Sequence, residues 1–174
     1  MTAKSLALML YLLIFSQITF AEKLYAELGT TYNFTKIDNL NFSQIALETR
    51  IGYYFIPQIG AEFHVAKGLT DDTKKGLTTE LDYNTGIGVR FESPVINQAR
   101  VFITLGYSQT VLSMTKQTSS FPGDGTFNSP SAGIGGEIIT GKIKNLSIYG
   151  KYTHLFDQDG VRISSIGLGA KYDF

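Results

Sequence analysis

The sequence has no cysteine, no tryptophan and only four prolines among its 174 residues. Without cysteine it can form neither disulfides nor thiolate metal sites. Lysine and arginine number 15, aspartate and glutamate 15, and the formal net charge is zero. That balance argues against a nucleic-acid binder, which would need a basic face. Beyond residue 21 no run is apolar enough for a spanning helix of about 20 residues, and helical periodicity is poor throughout. What the chain has instead is 18 glycines, 12 phenylalanines and 10 tyrosines, spread evenly along its length.

The first 21 residues have the layout of a cleavable export signal. Lys4 supplies a positive n-region, Leu6 to Ile14 (LALMLYLLI) form a short apolar core, and Thr19-Phe20-Ala21 end it on small residues. Cleavage is expected after Ala21, which leaves residues 22–174 as one mature domain.

In that mature part apolar and polar residues alternate with period 2, the mark of half-buried strands. From Leu24 to Phe34 one face carries Leu24, Ala26, Leu28, Thr30, Tyr32 and Phe34, and the other carries Tyr25, Glu27, Gly29, Thr31 and Asn33. From Gln44 to Phe55 the alternation repeats, with Arg50 and Glu48 on the polar side. Six further segments read the same way, near 59–67, 77–91, 98–110, 130–140, 146–156 and 162–174. In the eighth, Val161 and Ile163 are out of phase with Ile166 and Leu168, so a bulge is expected near Ser164-Ser165. Eight antiparallel strands is an even count of suitable length for an up-and-down transmembrane β-barrel, an all-β fold.

The membrane reading places the apolar face against lipid. The connections alternate between long (35–43, 67–76, 111–129, 157–161) and short (56–58, 92–97, 141–145), as in outer-membrane barrels. Aromatics gather at strand ends in two girdles. Tyr32, Phe34, Tyr107 and Phe156 are expected at the long-loop end, and Tyr53, Phe55, Phe91, Tyr172 and Phe174 at the short-turn end. Phe63 and Tyr83 fit neither.

The inward face then carries Glu27, Glu48, Glu62, Glu80, Asp82 and Glu137 against Arg50, Arg90, Arg100, Lys151 and Lys171, with His64 among them. An eight-stranded barrel has room inside only for side chains, so these charges are expected to meet as an ion-pair network. Inward glycines such as Gly29, Gly52, Gly86, Gly135, Gly167 and Gly169 are expected to make room for the long charged groups. A three-residue turn, Ile56-Pro57-Gln58, sets Phe55 opposite Ile59 and Arg50 opposite His64, which brings Arg50 into diagonal reach of Glu62.

The strand KLYAELGTTYNF, the glycine-alternating GIGVRFE and SAGIGGE, and the ending IGLGAKYDF resemble the small outer-membrane barrels of the OmpA-like and opacity-protein-like family, over residues 22–174. The resemblance implies a bacterial outer-membrane location, outer-membrane lipid and lipopolysaccharide as surroundings, and insertion by the barrel-assembly machinery. Tyr172-Asp173-Phe174 looks like that machinery's recognition signal, carried by Tyr172 and Phe174. Family members include anchors, adhesins, host-factor binders and a few enzymes. No peptidoglycan-binding domain is expected after the last strand.

Individual chemical candidates are few. His154 faces lipid by parity, and the chain is similar in size to lipid A deacylases, but Phe156 stands where their serine would be. Gly133-x-Gly135-Gly136 lies in a strand, whereas a dinucleotide site needs a strand, a turn and a helix. Asp71-Asp72 and Asp157/Asp159 read as solvated loop acids. No catalytic residue, metal ligand or cofactor is expected. The longest connection, 111–129, carries Met114, Phe121 and Phe127 in a polar context and is the place to look for an extracellular ligand. The expectation is a monomeric, non-enzymatic outer-membrane protein with a surface or structural role and a plugged lumen. A narrow pore and a lipid A-modifying enzyme using His154 are the alternatives.

Overall fold

A computed structural model of the chain describes residues 24–37, 39–116, 125–141, 143–158 and 160–174. The expected export signal, 1–21, and the centre of the 111–129 connection lie outside the described residues. Nine strands run in chain order: β1 (Leu24–Ile37), β2 (Leu40–Ile56), β3 (Ile59–Gly68), β4 (Asp71–Lys74), β5 (Leu77–Glu92), β6 (Ala99–Lys116), β7 (Gly125–Ile139), β8 (Leu146–Gln158) and β9 (Val161–Asp173). Eight of them close a single antiparallel barrel: β3 pairs with β5, and β1 pairs with β9 from Tyr25↔Asp173 to Ile37↔Val161. Closure is required where lipid offers no hydrogen-bond partner to an open edge. No helix among the described residues is long and apolar enough to cross a membrane, which says nothing against crossing by strands.

The connections at one end are short throughout: 57–58, 93–98 and 140–145. At the other end the expected long loops are largely strand. β1 and β2 stay paired up to Ile37↔Leu40, and β6 and β7 extend to Lys116 and Gly125. The alternation continues past the aromatic girdle with polar side chains outward, so hairpins project beyond the membrane instead of loops. The 67–76 connection holds β4, which pairs only with the start of β5, and its hairpin turns at Lys75 and Gly76 with φ of 50° and 76°. Two such left-handed positions in succession suit a tight twisted hairpin and favour glycine at one of them. Side chains substitute for a β2–β4 ladder: the Ser43 amide donates to Asp72 Oδ2 at 2.9 Å and the Ile45 amide to Thr70 Oγ1 at 2.9 Å.

Alternation places the apolar row outside. Leu28, Ile51, Ile87, Val101, Leu105, Ile134, Ile138, Ile148 and Leu168 all point outward from the wall. Charged and polar groups point inward, the arrangement of a membrane barrel and the reverse of a water-soluble one.

Two bulges change faces where strict parity does not. On β5 the register with β6 shifts between Leu81 and Tyr83. Above that point Thr79 and Leu81 turn inward and Glu80 turns out, so Glu80 is exposed and Asp82 half-buried. Neither joins the lumen charges, contrary to the sequence expectation: one extra residue inverts every side chain beyond it. On β8 the register with β9 jumps from His154↔Ser164 to Phe156↔Ile163. The phase change expected on the last strand therefore sits on its neighbour, with Leu155 as the extra residue. β9 alternates without interruption, and Ile163 is inside together with Ser165 and Lys171. Phe156, expected in the outer girdle, is only 7% exposed and lies inside the barrel.

Candidate functional site: the barrel lumen and its outer mouth

Inward residues of all eight barrel strands meet along the axis. Near the short-turn end Arg90 on β5 is 1% exposed and binds three carboxylates: Glu27 on β1 at 2.5 Å, Glu92 at 2.6 Å and Glu137 on β7 at 2.8 Å. Its guanidinium lies 3.6 Å from the Phe102 ring centroid, so the planar cation is stacked as well as paired. Arg100 pairs with Glu137 and, at 2.8 Å, with Glu92. Lys171 on β9 stands 3.0 Å from Asp173, 3.5 Å from Glu137 and 3.6 Å from Glu92, and donates to the Tyr54 hydroxyl at 2.8 Å.

Deeper in, Arg50 lies opposite His64, as the register argument placed it, and its Nη1 donates to Glu62. Below Tyr54↔Gly60 the β2–β3 register shifts, so the turn is Pro57-Gln58 with Phe55 as a bulge. Arg50 also reaches Glu48 at 3.0 Å and Glu27 at 3.4 Å, and Lys151 on β8 pairs with Glu48. His64 Nε2 lies 2.8 Å from Asn84 Oδ1, and Asn84 donates in turn to Thr110 at 2.8 Å. The cavity beside Arg50, Glu62, His64 and Thr104 measures about 10 Å³, room for about one water molecule.

Sequence reading gave no lumen role to Glu92, Tyr25, Tyr54 or Phe102, although parity set Tyr25 on the face of Glu27 and Tyr54 on that of Arg50. Glu92 was assigned to a turn, although it continues the alternation of Gly88 and Arg90. Tyr25, Tyr54 and Phe102 fill the same layer, and Tyr25 donates to Glu62 at 2.9 Å. These rings explain the glycines better than the charges do. A side chain on Gly52 would collide with the Tyr25 ring, and one on Gly29 or Gly169 would lie 2.6 Å from the Tyr149 hydroxyl.

Toward the projecting hairpins the filling loses its charges, and buried Thr35, Gln44 and Thr79 stand beside an apolar cluster. Ala46, Ala66, Leu81, Leu112, Leu155, Phe156 and Ile163 form one buried cluster, with Met114, Phe127 and Val161 packed on it. Here the wall changes too. β7 and β8 are register partners from Ile139↔Ser147 to Ala132↔His154 and no further, although both strands continue. Side chains join the two edges: Ser129 Oγ donates to the Leu155 carbonyl, and Phe127 meets Phe156 at 5.2 Å.

On the exterior, the girdle residues other than Phe156 lie on the outer wall. Tyr32 and Phe34 stack edge to face at 4.9 Å, Tyr53 and Phe55 at 5.7 Å, and Tyr172 and Phe174 at 5.2 Å. Phe91 and Tyr107 are exposed on the same wall. His154 is half-buried with Ser164 as its cross-strand neighbour. No group of three His, Asp or Glu residues is arranged to hold a metal among the described residues. Asp72 sits in the projecting hairpin. Desolvation pushes its carboxyl up, but the Ser43 amide and the Lys74 ammonium outweigh that and hold it below the usual carboxylate range.

No curated protein matches the chain in sequence. Solved structures do match in fold. Ail, the attachment invasion locus protein of Yersinia pestis, solved with the heparin analogue sucrose octasulfate, aligns with a TM-score of 0.62 at 17% identity, covering 87% of this chain and 98% of Ail. The Neisserial surface protein A aligns at 0.62 and 12% identity, over 87% of this chain and 97% of the other. OprG of Pseudomonas aeruginosa aligns at 0.60 and 10% identity, over 88% and 97%. At these identities the likeness establishes the fold. The family model for the outer membrane protein beta-barrel domain matches residues 6–174, and this chain, an outer-membrane β-barrel protein of Gram-negative type, belongs to that family.

Proposed function

We propose that the protein is a non-conducting, non-enzymatic barrel that serves as a rigid monomeric platform in the outer membrane and acts through its projecting hairpins. The observation that carries this reading is the double filling of the lumen. An ionic layer centred on Arg50 and Arg90 is followed by an apolar layer around Leu112 and Phe156. A solute would have to break a buried charge network, which is costly when one partner is left unpaired, and then displace close-packed side chains. Planar-bilayer recording of the purified barrel tests the closure. The reading expects a flat trace, and reproducible unitary steps would replace it with the narrow-pore alternative.

The lipid A-modifying alternative has less support. His154 has the Ser164 hydroxyl across the strand, but Phe156 points inside. Lipid A from cells with and without the protein should have identical mass spectra.

The hairpin tips carry the surface role in this reading. Lys74 and Lys75 sit at the β4–β5 tip, and β6 and β7 lead into the 117–124 connection. Ail was solved with a sulfated ligand, so immobilised heparin is a rational first probe of expressing cells. Retention abolished by Lys74→Gln with Lys75→Gln would support a sulfated-glycan partner, and unchanged retention would remove it. Residues 1–21 are taken as the export signal, so the mature protein should begin at Glu22.

A further inference from the structure

Lys36 on β1 and Arg162 on β9 are direct cross-strand partners on the exterior wall, and both are exposed. Like charges directly opposite each other destabilise a strand pair. Arg162 is partly compensated: its Nε and Nη2 bind Asp157 at 2.9 and 2.8 Å. That leaves Nη1 directed to no carboxylate among the described residues. On its other side Lys36 has Asn41 as register partner, and its ammonium makes no ion pair among the described residues.

The depth of the pair is set by its neighbours. Two residues along, the same face carries Phe34 beside Ser164, and two further along it carries Tyr32 beside Ile166. Tyr32 and Phe34 form the aromatic girdle here. The cations therefore stand one strand repeat, roughly 7 Å, beyond the apolar boundary. That is where headgroup phosphates of the outer leaflet lie.

We infer that Lys36 and Arg162, with Ser164 beneath them, hold a phosphate of a membrane glycolipid headgroup, of the chemistry found in lipid A. A dianion between the two cations would turn the like-charge contact into an attractive one. The guanidinium offers a directed donor and the ammonium a mobile point charge. The site depends on the outer-membrane placement alone. It stands or falls separately from the closed lumen and from any ligand of the hairpins.

The test uses the folded full-length mature barrel in neutral detergent, with purified lipid A bisphosphate as probe and native mass spectrometry as readout. Heat-modifiable mobility verifies that each variant is folded. Lys36→Gln and Arg162→Gln should each reduce lipid A retention about fivefold. Lys36→Arg, which keeps the charge, should retain it. Lys67→Gln, which removes an exterior cation on β3 outside the pair, should leave retention unchanged. Dephosphorylated lipid A should bind wild type no better than it binds the variants.

Wild-type retention in the Lys36→Gln/Arg162→Gln double variant would overturn the site. So would an equal loss in Lys67→Gln, which would mean diffuse attraction, or equal retention of dephosphorylated lipid, which would mean acyl-chain contact alone. Displacement of lipid A by millimolar inorganic phosphate would assign the pair to a free anion and overturn the lipid assignment.

Discussion

Phe127 and Phe156 meet edge to face, 5.2 Å between centroids, across the stretch of wall where β7 and β8 are no longer register partners. Two apolar rings thus do at the outer mouth what backbone pairing does elsewhere. The bulge at Leu155 makes this possible, because it turns Phe156 from the lipid side to the inside.

Hydrogen exchange should detect this seam. Backbone amides over 126–131 and 156–158 should exchange faster than those over 33–37 of β1, which projects equally but is paired on both sides as far as Ile37. Equal protection would mean that the seam is closed by a ladder. Phe156→Ala should cost about 3–5 kcal/mol in denaturant unfolding of the barrel in lipid vesicles. If Phe156 faced lipid, the cost would be far smaller.

Loss of Arg90 should be damaging, since like Arg50 it serves three buried carboxylates and in addition it stacks on Phe102. Arg90→Met should destabilise the barrel by about 3–5 kcal/mol. Glu80→Ala, at a carboxylate that the β5 bulge turns outward, should stay within about 0.5 kcal/mol of wild type. Comparable losses at both positions would return Glu80 to the lumen.

Arg50 and Glu62 should be energetically coupled. A double-mutant cycle with Arg50→Met and Glu62→Gln should give an interaction energy of about 0.5–3 kcal/mol. A value indistinguishable from zero would mean that the observed hydrogen bond contributes nothing to holding β2 on β3.

Two glycines make a matched pair. A side chain at Gly29 would lie 2.5 Å from the Leu168 carbonyl oxygen and 2.6 Å from the Tyr149 hydroxyl, whereas at Gly136 the nearest atom is 3.6 Å away. Gly29→Ala should therefore destabilise by about 1–3 kcal/mol. Gly136→Ala, on the lipid side where the added carbon would make only ordinary van der Waals contact, should be neutral or stabilising by up to about 1 kcal/mol. The reverse order in unfolding midpoints would contradict the packing of Tyr149.

Much of this was legible along the chain. Period-2 alternation from Leu24 onward located the eight barrel strands and their lipid face, and parity placed Arg50 opposite His64. It failed at Glu80, Asp82 and Phe156, and for one reason: parity counting assumes an unbroken ladder. A bulge carries no strong sequence mark, and the phase slip visible at Val161 and Ile163 was absorbed by the neighbouring strand. Glu92 was missed because a strand end and a turn start look alike when the partner strand is unknown.

By itself the sequence determined the class of solvent. Greasy and ionic residues that take turns at every second position fit either a water-soluble sheet or a membrane barrel, and the export-signal layout, the alternation of long and short connections and the aromatics at strand ends assign lipid to the greasy side. Only the tertiary structure decided which charges meet, where the filling changes from ionic to apolar, and which side of the wall Phe156 occupies. Those outcomes depend on cross-strand register and bulge position, which arise from packing between segments distant in the chain and are not written in any one of them.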